Sequence, residues 1–466
     1  MSAKSMLEFE MKYSRSLFFL PVALFFSLCF AGSGNSETRI LVPQLLSISE
    51  AVQIAVTHNP AVTEASAFVS VSEERLTQAK SGFFPQVSAS AGYTRTTSPL
   101  WAFGTKLNQK TIGVEDFIPD RLNDPNAIEN YGLTLSAVWP LYDSGQTWYG
   151  VRQAAMGHNA AGFVQNRAVQ EIISATVSAY NGMLLSDQHL QTILQALKTA
   201  EANEKIVRSR FESGFSVKSD LLQTQVHIGA LDQQRLQAES MLAIARAGLC
   251  VAMGIDPDTP FELSDELQST AETEGSLDGW LETARTTRPD LKAVLQQEAI
   301  ADSEIGKARS SRLPSVALSA EYGTNSDSFN DGEDNYTVGA IVSVNLFSGF
   351  RVSSRITEAA AAMKQIQSRR TGLEQKISLD TRSAYYQAKS TWQQIKVAET
   401  SVTQAEEALR IVQNRYENDL LTIVELLGAE LALQQARVNR FQAVHDYNIA
   451  KTNLELAAGT LNTNSY

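Results

Sequence analysis

Two stretches of this chain carry residues whose types and spacing could recognise a partner: RSRFESGFSVKSDLLQT at 208–224 and QNRYENDLLTIVELLGA at 413–429. In each, an aromatic follows an arginine (Arg210–Phe211, Arg415–Tyr416) and an acid precedes two leucines (Asp220–Leu221–Leu222, Glu425–Leu426–Leu427). A guanidinium beside a ring offers a planar fork of donors, suited either to docking another chain or to bridging neighbouring helices. Chemistry elsewhere is sparse. His58, His158, His189, His227 and His445 have no i, i+4 pairing and no acid or cysteine at ligand spacing, so no metal site is read. No Ser–His–Asp pattern, phosphate loop or glycine-rich cofactor turn occurs, and neither an enzyme nor a cofactor is expected.

Each stretch sits in the middle of a long helical pattern and reads as the point where two antiparallel helices reverse. Gly214 can take the positive φ that ends a helix, and Ser219 or Asp220 can cap the next one. Upstream, heptad-like spacing runs through Val169, Ile173, Thr176, Tyr180, Met183, Leu190, Leu194 and Leu197, with Asp187 as a polar interruption. A continuous helix over 146–212 would be a rod of roughly 100 Å, which no single globular core accommodates. The return helix runs from about Lys218 to Met253 and stops at GIDPDTP.

The chain before this rod begins with a short amphipathic helix for which Ser49 is the expected cap, then a break at Pro60 and a helix over 61–80. At Pro85 the period changes from 3.6 to 2. Val87, Ala89, Ala91 and Tyr93 alternate with polar or small residues, as do Leu133, Leu135, Ala137, Trp139 and Leu141. Between them, 94–129 reads as a polar loop.

The same order then repeats. Pro60 and Pro289, and Pro85 and Pro314, lie 229 positions apart, and FPQVSASAGY at 84–93 matches LPSVALSAEY at 313–322. Beyond the hairpin the offset falls to 205, pairing Thr176 with Thr381, Tyr180 with Tyr385 and Arg210 with Arg415. The difference is the hairpin loop, long at 94–129 and short at 323–334, which is where insertions are tolerated. Two repeats follow: 47–254 (hairpin 85–142, helical hairpin 145–254) and 277–459 (hairpin 314–347, helical hairpin 349–459). A connector, 255–276, joins them and 460–466 is a tail. In the second hairpin Val316, Leu318, Ala320 and Tyr322 face one way, matched by Val338, Ala340, Val342, Val344 and Leu346.

The fold class is therefore mainly α with a small β part, internally duplicated. Strands of about ten residues, apolar on one face and small or polar on the other, match the wall of a transmembrane β-barrel. Four strands cannot close one, and an open edge in lipid leaves backbone groups unsatisfied. The barrel must be shared between chains, eight strands from two or twelve from three. Tyr93, Trp139, Trp148 and Tyr149 flank the strands as membrane-interface aromatics would, or else pack against the helices.

Bulk properties agree with export. The 466 residues carry a net charge of −12, against a nucleic-acid partner. After the N-terminus no run of about eighteen uninterrupted apolar residues occurs. Residues 1–31 read as a secretory signal, with Lys12 and Arg15 before an apolar core at 17–30 and small residues at 31–33. Glu8 and Glu10 are unusual for its basic end and point to a start at Met11 as the alternative to Met1. Leu28 stands where a lipidation signal wants a small residue, which weighs against Cys29 as a lipid anchor. Removal of the signal leaves Cys250, in the apolar context of Leu249 and Val251, as a small buried hydrophobe.

These residues resemble the TolC family of outer-membrane efflux factors over nearly the whole mature chain. RFESGFSVKSDLL is similar to that family's turn motif; the second copy departs from it with Asp419 where glycine usually stands. The resemblance implies a homotrimer with a twelve-stranded barrel in outer-membrane lipid and an α-helical barrel across the periplasm. It also implies that the turns close the tunnel and receive a periplasmic adaptor coupled to an inner-membrane transporter. The docking set would be Arg210, Phe211, Gly214, Asp220, Leu221, Leu222, Arg415, Tyr416, Leu426 and Leu427. Glu425, Asp419 and Asp220 would be entrance acids, although Gly428 replaces the second acid of the family pattern. Three like charges at close range raise one another's pKa and favour cations; a plain helix-capping role is the alternative for Asp220 and Glu425. A structural coiled-coil envelope protein and a secreted enzyme are the competing classes. The first has no need of lipid-facing hairpins, and nothing in the sequence speaks for the second.

Overall fold

The computed structural model describes residues 43–269, 271–329 and 331–466; the signal segment, Met11 and Cys29 lie outside the described residues. After a two-residue strand β1 (Leu45–Leu46), helix α1 (Ile48–His58) starts at a reciprocal capping box. The Glu50 amide donates to Ser47 Oγ at 3.3 Å and the Ser47 amide donates to the Glu50 carboxylate at 2.9 Å. Ser49, expected as the cap, is instead inside the first turn, because only Ser47 has a glutamate three residues on. Asn59 caps α2 (Pro60–Ser81), and in the second repeat Pro289 opens α8 (Pro289–Ser310) behind α7 (Leu277–Thr287).

The two repeats close on themselves in the same way. Gly254, at φ +73° after α6 (Lys218–Met253), lies directly on the backbone of Asn59, whose side-chain amide donates to the Ala252 carbonyl at 2.8 Å. Gly459, also at φ +73°, ends α10 (Ile423–Ala458) against Arg288. Arg288 is 4% exposed, and it donates to Asp290 at 2.6 Å, lies 3.5 Å from Asp380 and reaches the Ala457 carbonyl at 3.3 Å. Burial opposes ionisation of Asp290, yet the hydrogen bond and charge of Arg288 outweigh it and hold the carboxyl below its ordinary range. That stability is present above the unfolded aspartate pKa and lost as pH falls through the lowered one. Arg288→Ala should cost about 3 kcal/mol, since two partly exposed acids lose a buried partner. A drop in the urea midpoint with a flattened acid limb is the expected reading.

The connector adds a strand β4 (Glu262–Leu263) that pairs in parallel with β1. Fully buried Tyr180 fastens this patch, its one hydroxyl proton lying between two acceptors, Asp265 at 2.7 Å and the Leu46 carbonyl at 2.9 Å. Burial first, then Asp265, push its pKa well above the usual phenol range.

The rods are α5 (Gln146–Glu212) and α9 (Arg351–Glu417), each 67 residues, returning through α6 and α10 at 36 residues each. The expected seam holds at Ile173, Thr176, Tyr180 and Met183, then moves: Ile193, Ala200 and Val207 are buried, Leu194 is exposed, and Leu190 and Leu197 are half-buried. A straight helix drifts against a strict seven-residue repeat, and the partners of α5 change along its length. Helix α6 is long and apolar enough by composition to cross a membrane, although it holds no run of eighteen uninterrupted apolar residues. It runs instead beside α5, leaving Val226, Leu236, Met241, Ile244 and Val251 exposed.

Among the described residues, β2 (Gln86–Thr96), β3 (Ile128–Tyr142), β5 (Ser315–Ser326) and β6 (Glu333–Ser343) form one antiparallel sheet in that order. The register puts Val87, Ala89, Ala91 and Tyr93 beside Ala137, Leu135, Leu133 and Tyr131. Trp139, Ala137 and Leu135 then meet Leu318, Ala320 and Tyr322, which meet Ala340, Val338 and Tyr336. Over these rows one face is apolar from edge to edge, and toward the loops Thr324 and Asp334 stand on it beside Leu133. The other carries Ser88, Ser90, Gly92, Asn130, Thr134, Ser136, Glu321, Gly323, Asn325 and Asn335, with Val138 and Ile341 as its large apolar residues at the helix-side end. Val344 and Leu346 lie beyond the end of β6 rather than in it. The strands also run further than their pattern suggested, leaving loops at 97–127 and 327–332. The first is folded: α3 (Pro99–Asn108), a 3₁₀ turn at Val114–Phe117 and α4 (Pro119–Asn123), both helices opened by proline.

Candidate functional site

The two turns meet at the far end of the rods. Helix α5 ends at a Schellman motif: the Phe215 amide donates to the Arg210 carbonyl at 2.8 Å, the Gly214 amide to the Phe211 carbonyl at 3.0 Å, and Gly214 has φ +80°. Helix α9 ends identically, with Leu420 on Arg415 at 2.9 Å, Asp419 on Tyr416 at 3.1 Å, and Asp419 at φ +57°. A side chain in that conformation costs about 1–2 kcal/mol, least for Asp and Asn.

Asp419 is occupied from across the bundle. Arg210 donates to its carboxylate at 3.0 Å, to the Glu417 carbonyl at 3.3 Å, and stands 5.3 Å over the Tyr416 ring. Of the two readings of the arginines, bridging is what Arg210 does here. Arg415 is exposed. Burial raises the Tyr416 hydroxyl pKa despite the opposing charge of Arg210.

The return helices start differently. Neither Ser219 nor Asp220 caps α6: Val217 holds that position without a side-chain bond, and Asp220, in the first turn, accepts from the Ser216 hydroxyl at 2.9 Å. In the second turn Thr422 and Glu425 form a capping box, the Glu425 carboxylate accepting from the Thr422 amide at 2.8 Å and hydroxyl at 3.0 Å. These bonds hold the Glu425 carboxyl below the usual range. The three acids read from the sequence therefore each have a different local partner.

Leu426 is buried with Val207 and Ile423, and Leu221, Tyr416 and Leu427 pack on them, so these form the core of the tip. The exposed apolar residues are Phe211, Phe215, Val217, Leu222, Leu420 and Val424, of which Phe215, Val217, Leu420 and Val424 escaped the sequence reading. The signal was available: apolar residues inside a helix breaker have no core to enter. Leu222, Val226, His227, Val424 and Leu427 line an open groove of about 500 Å³ between α6 and α10. Burial lowers the pKa of His227. One turn up, Glu430 accepts from Asn203 at 2.6 Å, and burial raises its pKa against that bond.

At the other end, aromatics border the apolar face of the sheet on both sides. Tyr93 lies 5.0 Å from Tyr131, which lies 6.0 Å from Phe329. Toward the helices stand Trp139, whose indole donates to the Phe83 carbonyl at 2.9 Å, exposed Trp148, and the pair Phe347 and Phe350 at 5.8 Å. Tyr149 turns inward instead, its ring lying over Gly306 of α8. The eight residue steps from Tyr131 to Trp139 span roughly 27 Å along the strand, which with barrel tilt approaches the height of a lipid-facing band.

Comparison with known proteins agrees with this architecture. The family described as outer membrane efflux protein matches residues 51–255 and 280–460. Protein CyaE of Bordetella pertussis is 26% identical over 328 residues, 69% of this chain and 64% of that protein, so the chain spans less than two thirds of it. The proteases secretion protein PrtF of Dickeya chrysanthemi is 24% identical over 90% of this chain and 89% of its own. The crystal structure of the outer membrane protein VceC from Vibrio cholerae superposes with a TM-score of 0.72 at 20% identity, covering 88% of this chain and 96% of that one.

Proposed function

The chain belongs to the outer membrane efflux protein family, a family of export channels, and from that premise we propose that three copies share one twelve-stranded barrel in the outer membrane and one helical tunnel across the periplasm. One observation supports this above the others. The sheet is apolar on one face, bordered by aromatics at both margins, and open at two edges, β2 and β6, of 11 residues each. The strand directions alternate across the sheet, so a neighbour's β2 can add to β6 and continue the antiparallel order. Tyr93, Trp139 and Trp148 belong to the interface belts in this reading.

The turns then form the periplasmic entrance. Exposed Phe211, Phe215, Leu222 and Val424 and the groove beside His227 offer an apolar surface to a periplasmic adaptor, which couples the duct to an inner-membrane transporter. The name of PrtF, a secretion protein similar over nearly the whole chain, supports protein as one class of cargo; small molecules can use the same duct. Mass measurement of the intact protein in mild detergent should give a trimer, and a stable monomer or dimer would overturn the assembly. If Glu425 lines the entrance while capping its helix, Glu425→Gln should weaken cation preference in single-channel recordings with trimer yield unchanged. Unaltered selectivity would leave Glu425 as a cap alone.

A further inference from the structure

The 97–127 segment has more structure than a surface loop requires, and it lies on one particular side of the sheet. Leaving the edge strand β2, it makes α3, whose Ala102 is buried, and then turns through Lys110 at φ +53°. Gln109 is 5% exposed. Its amide donates to the Glu129 carbonyl at 2.7 Å and to Asn130 Oδ1 at 3.0 Å, and Asn130 donates in turn to Asn325 at 2.9 Å. The register places Asn130 and Asn325 on the polar face, and Glu333 opposite Asn325 on that face as well. Lys110 donates to Glu333 at 2.8 Å and lies 3.7 Å from Asp334, so the segment is fastened to β6, at the opposite edge from where it started. Helix α3 touches both β3 and β6 although β5 lies between them.

The segment also holds its own shape. Lys106 pairs with Asp116 at 2.6 Å, Asp116 accepts from the Gly113 amide at 2.8 Å, and Phe103 meets Phe117 edge-on at 5.7 Å. Meanwhile the apolar margin of the sheet is already occupied by Tyr93, Tyr131 and Phe329. The segment crosses the polar margin and leaves Leu100, Trp101, Val114 and Phe117 exposed in a single chain.

We propose that residues 97–127 form a folded cap across the outer mouth of the channel, and that the caps of three copies meet through Leu100, Trp101, Val114 and Phe117 to limit the size of what passes. This rests on the shared-barrel reading: the polar face must line the water path for a segment on its margin to cover the mouth. The second copy is the occupant the geometry favours, because the cap spans its own protomer from one open edge to the other and must abut a neighbour at both. The other hairpin contributes only 327–332, too short to help. A second constriction then lies at the exit, remote from the helical turns.

The test uses the full chain with Cys29→Ala and Cys250→Ala, plus Ser90→Cys on the polar face of β2. Intact cells receive from outside either a small charged maleimide or a maleimide on a bulky polyethylene glycol chain. With the cap present, Ser90→Cys should react with the small reagent and resist the bulky one. Lys110→Gln should raise the bulky reagent's rate about threefold, the factor expected for losing an exposed ion pair. Replacing 97–127 by the sequence of 327–332 should bring it to the small reagent's rate. Equal rates with the cap present, or exclusion unchanged by its replacement, would overturn the cap. If neither reagent reaches Ser90→Cys in any form while trimers are in the membrane, the water path itself is misassigned and the shared-barrel reading fails. A short bis-maleimide on Trp101→Cys should join chain to chain. Labelling by a lipid-phase maleimide without chain-to-chain products would put the cap against lipid and overturn the contact between copies.

Discussion

Leu135→Arg should nearly abolish assembled protein in the outer membrane, while Ser136→Arg, one residue along the same strand, should be tolerated. Leu135 sits midway between Tyr131 and Trp139 on the apolar face, flanked by Ala89 and Tyr322. Arginine at the middle of a lipid-facing barrel wall costs about 2–4 kcal/mol, or roughly 6–12 kcal/mol for three copies in one barrel. That is comparable to the whole stability of an ordinary domain. Ser136 points to the opposite face, hydrogen-bonded to Ser88 at 2.8 Å and paired in register with Glu321, which can accept a guanidinium. The amount of detergent-resistant trimer in the outer-membrane fraction decides the matter. Equal loss in both variants would mean that the two faces do not meet different media.

The second large effect is expected where each helical return closes on its own repeat. A Cβ added to Gly459 would stand 2.8 Å from Arg288 Cα and 3.0 Å from its nitrogen, contacts that only a backbone shift can relieve. The left-handed conformation adds about 1–2 kcal/mol for any other residue, and the shift would disturb the buried Arg288 pairs. Gly459→Ala should therefore cost at least about 4 kcal/mol, within the exceptional range for single substitutions. Gly254→Ala, 2.6 Å from Asn59 Cα, should do the same in the first repeat. Gly428→Ala is the control: it lies within α10 with nothing near its Cβ position, and should be neutral or stabilise by about 0.5–1 kcal/mol. Urea unfolding and protease resistance of the trimer would measure all three.

The duplication made most of the architecture readable. Two copies of one pattern, offset first by 229 and then by 205 positions, locate the hairpins and both reversals, because insertions cannot fall inside packed rods. The return helix, placed from about Lys218 to Met253, is found at Lys218–Met253. What failed was anything set by contacts between distant segments. Leu194 looked like a seam residue, but Ile193 is the one buried, since the seam depends on the neighbour each stretch of α5 meets. Leu426 looked like a surface residue of the turn because its burial in the tip core depends on Val207, more than two hundred positions away. Arg210 carried no sign that its partner would be Asp419. The helices of 97–127 were hidden by a composition rich in turn formers, some of which, Pro99 and Pro119, start helices instead.

The equality of the two repeats limits how such a duct can change its reach. Rods of 67 residues and returns of 36 residues occur in both copies. Inserting one residue into a rod would rotate everything beyond it by about 100° and advance it by about 1.5 Å, turning buried positions outward while the facing helix stays put. A heptad nearly keeps the seam in place and adds about 10.5 Å, and it must enter the facing helix as well, in both copies together. Reach is thus lengthened most readily in steps close to 10 Å, by matched insertions in facing helices rather than by single residues.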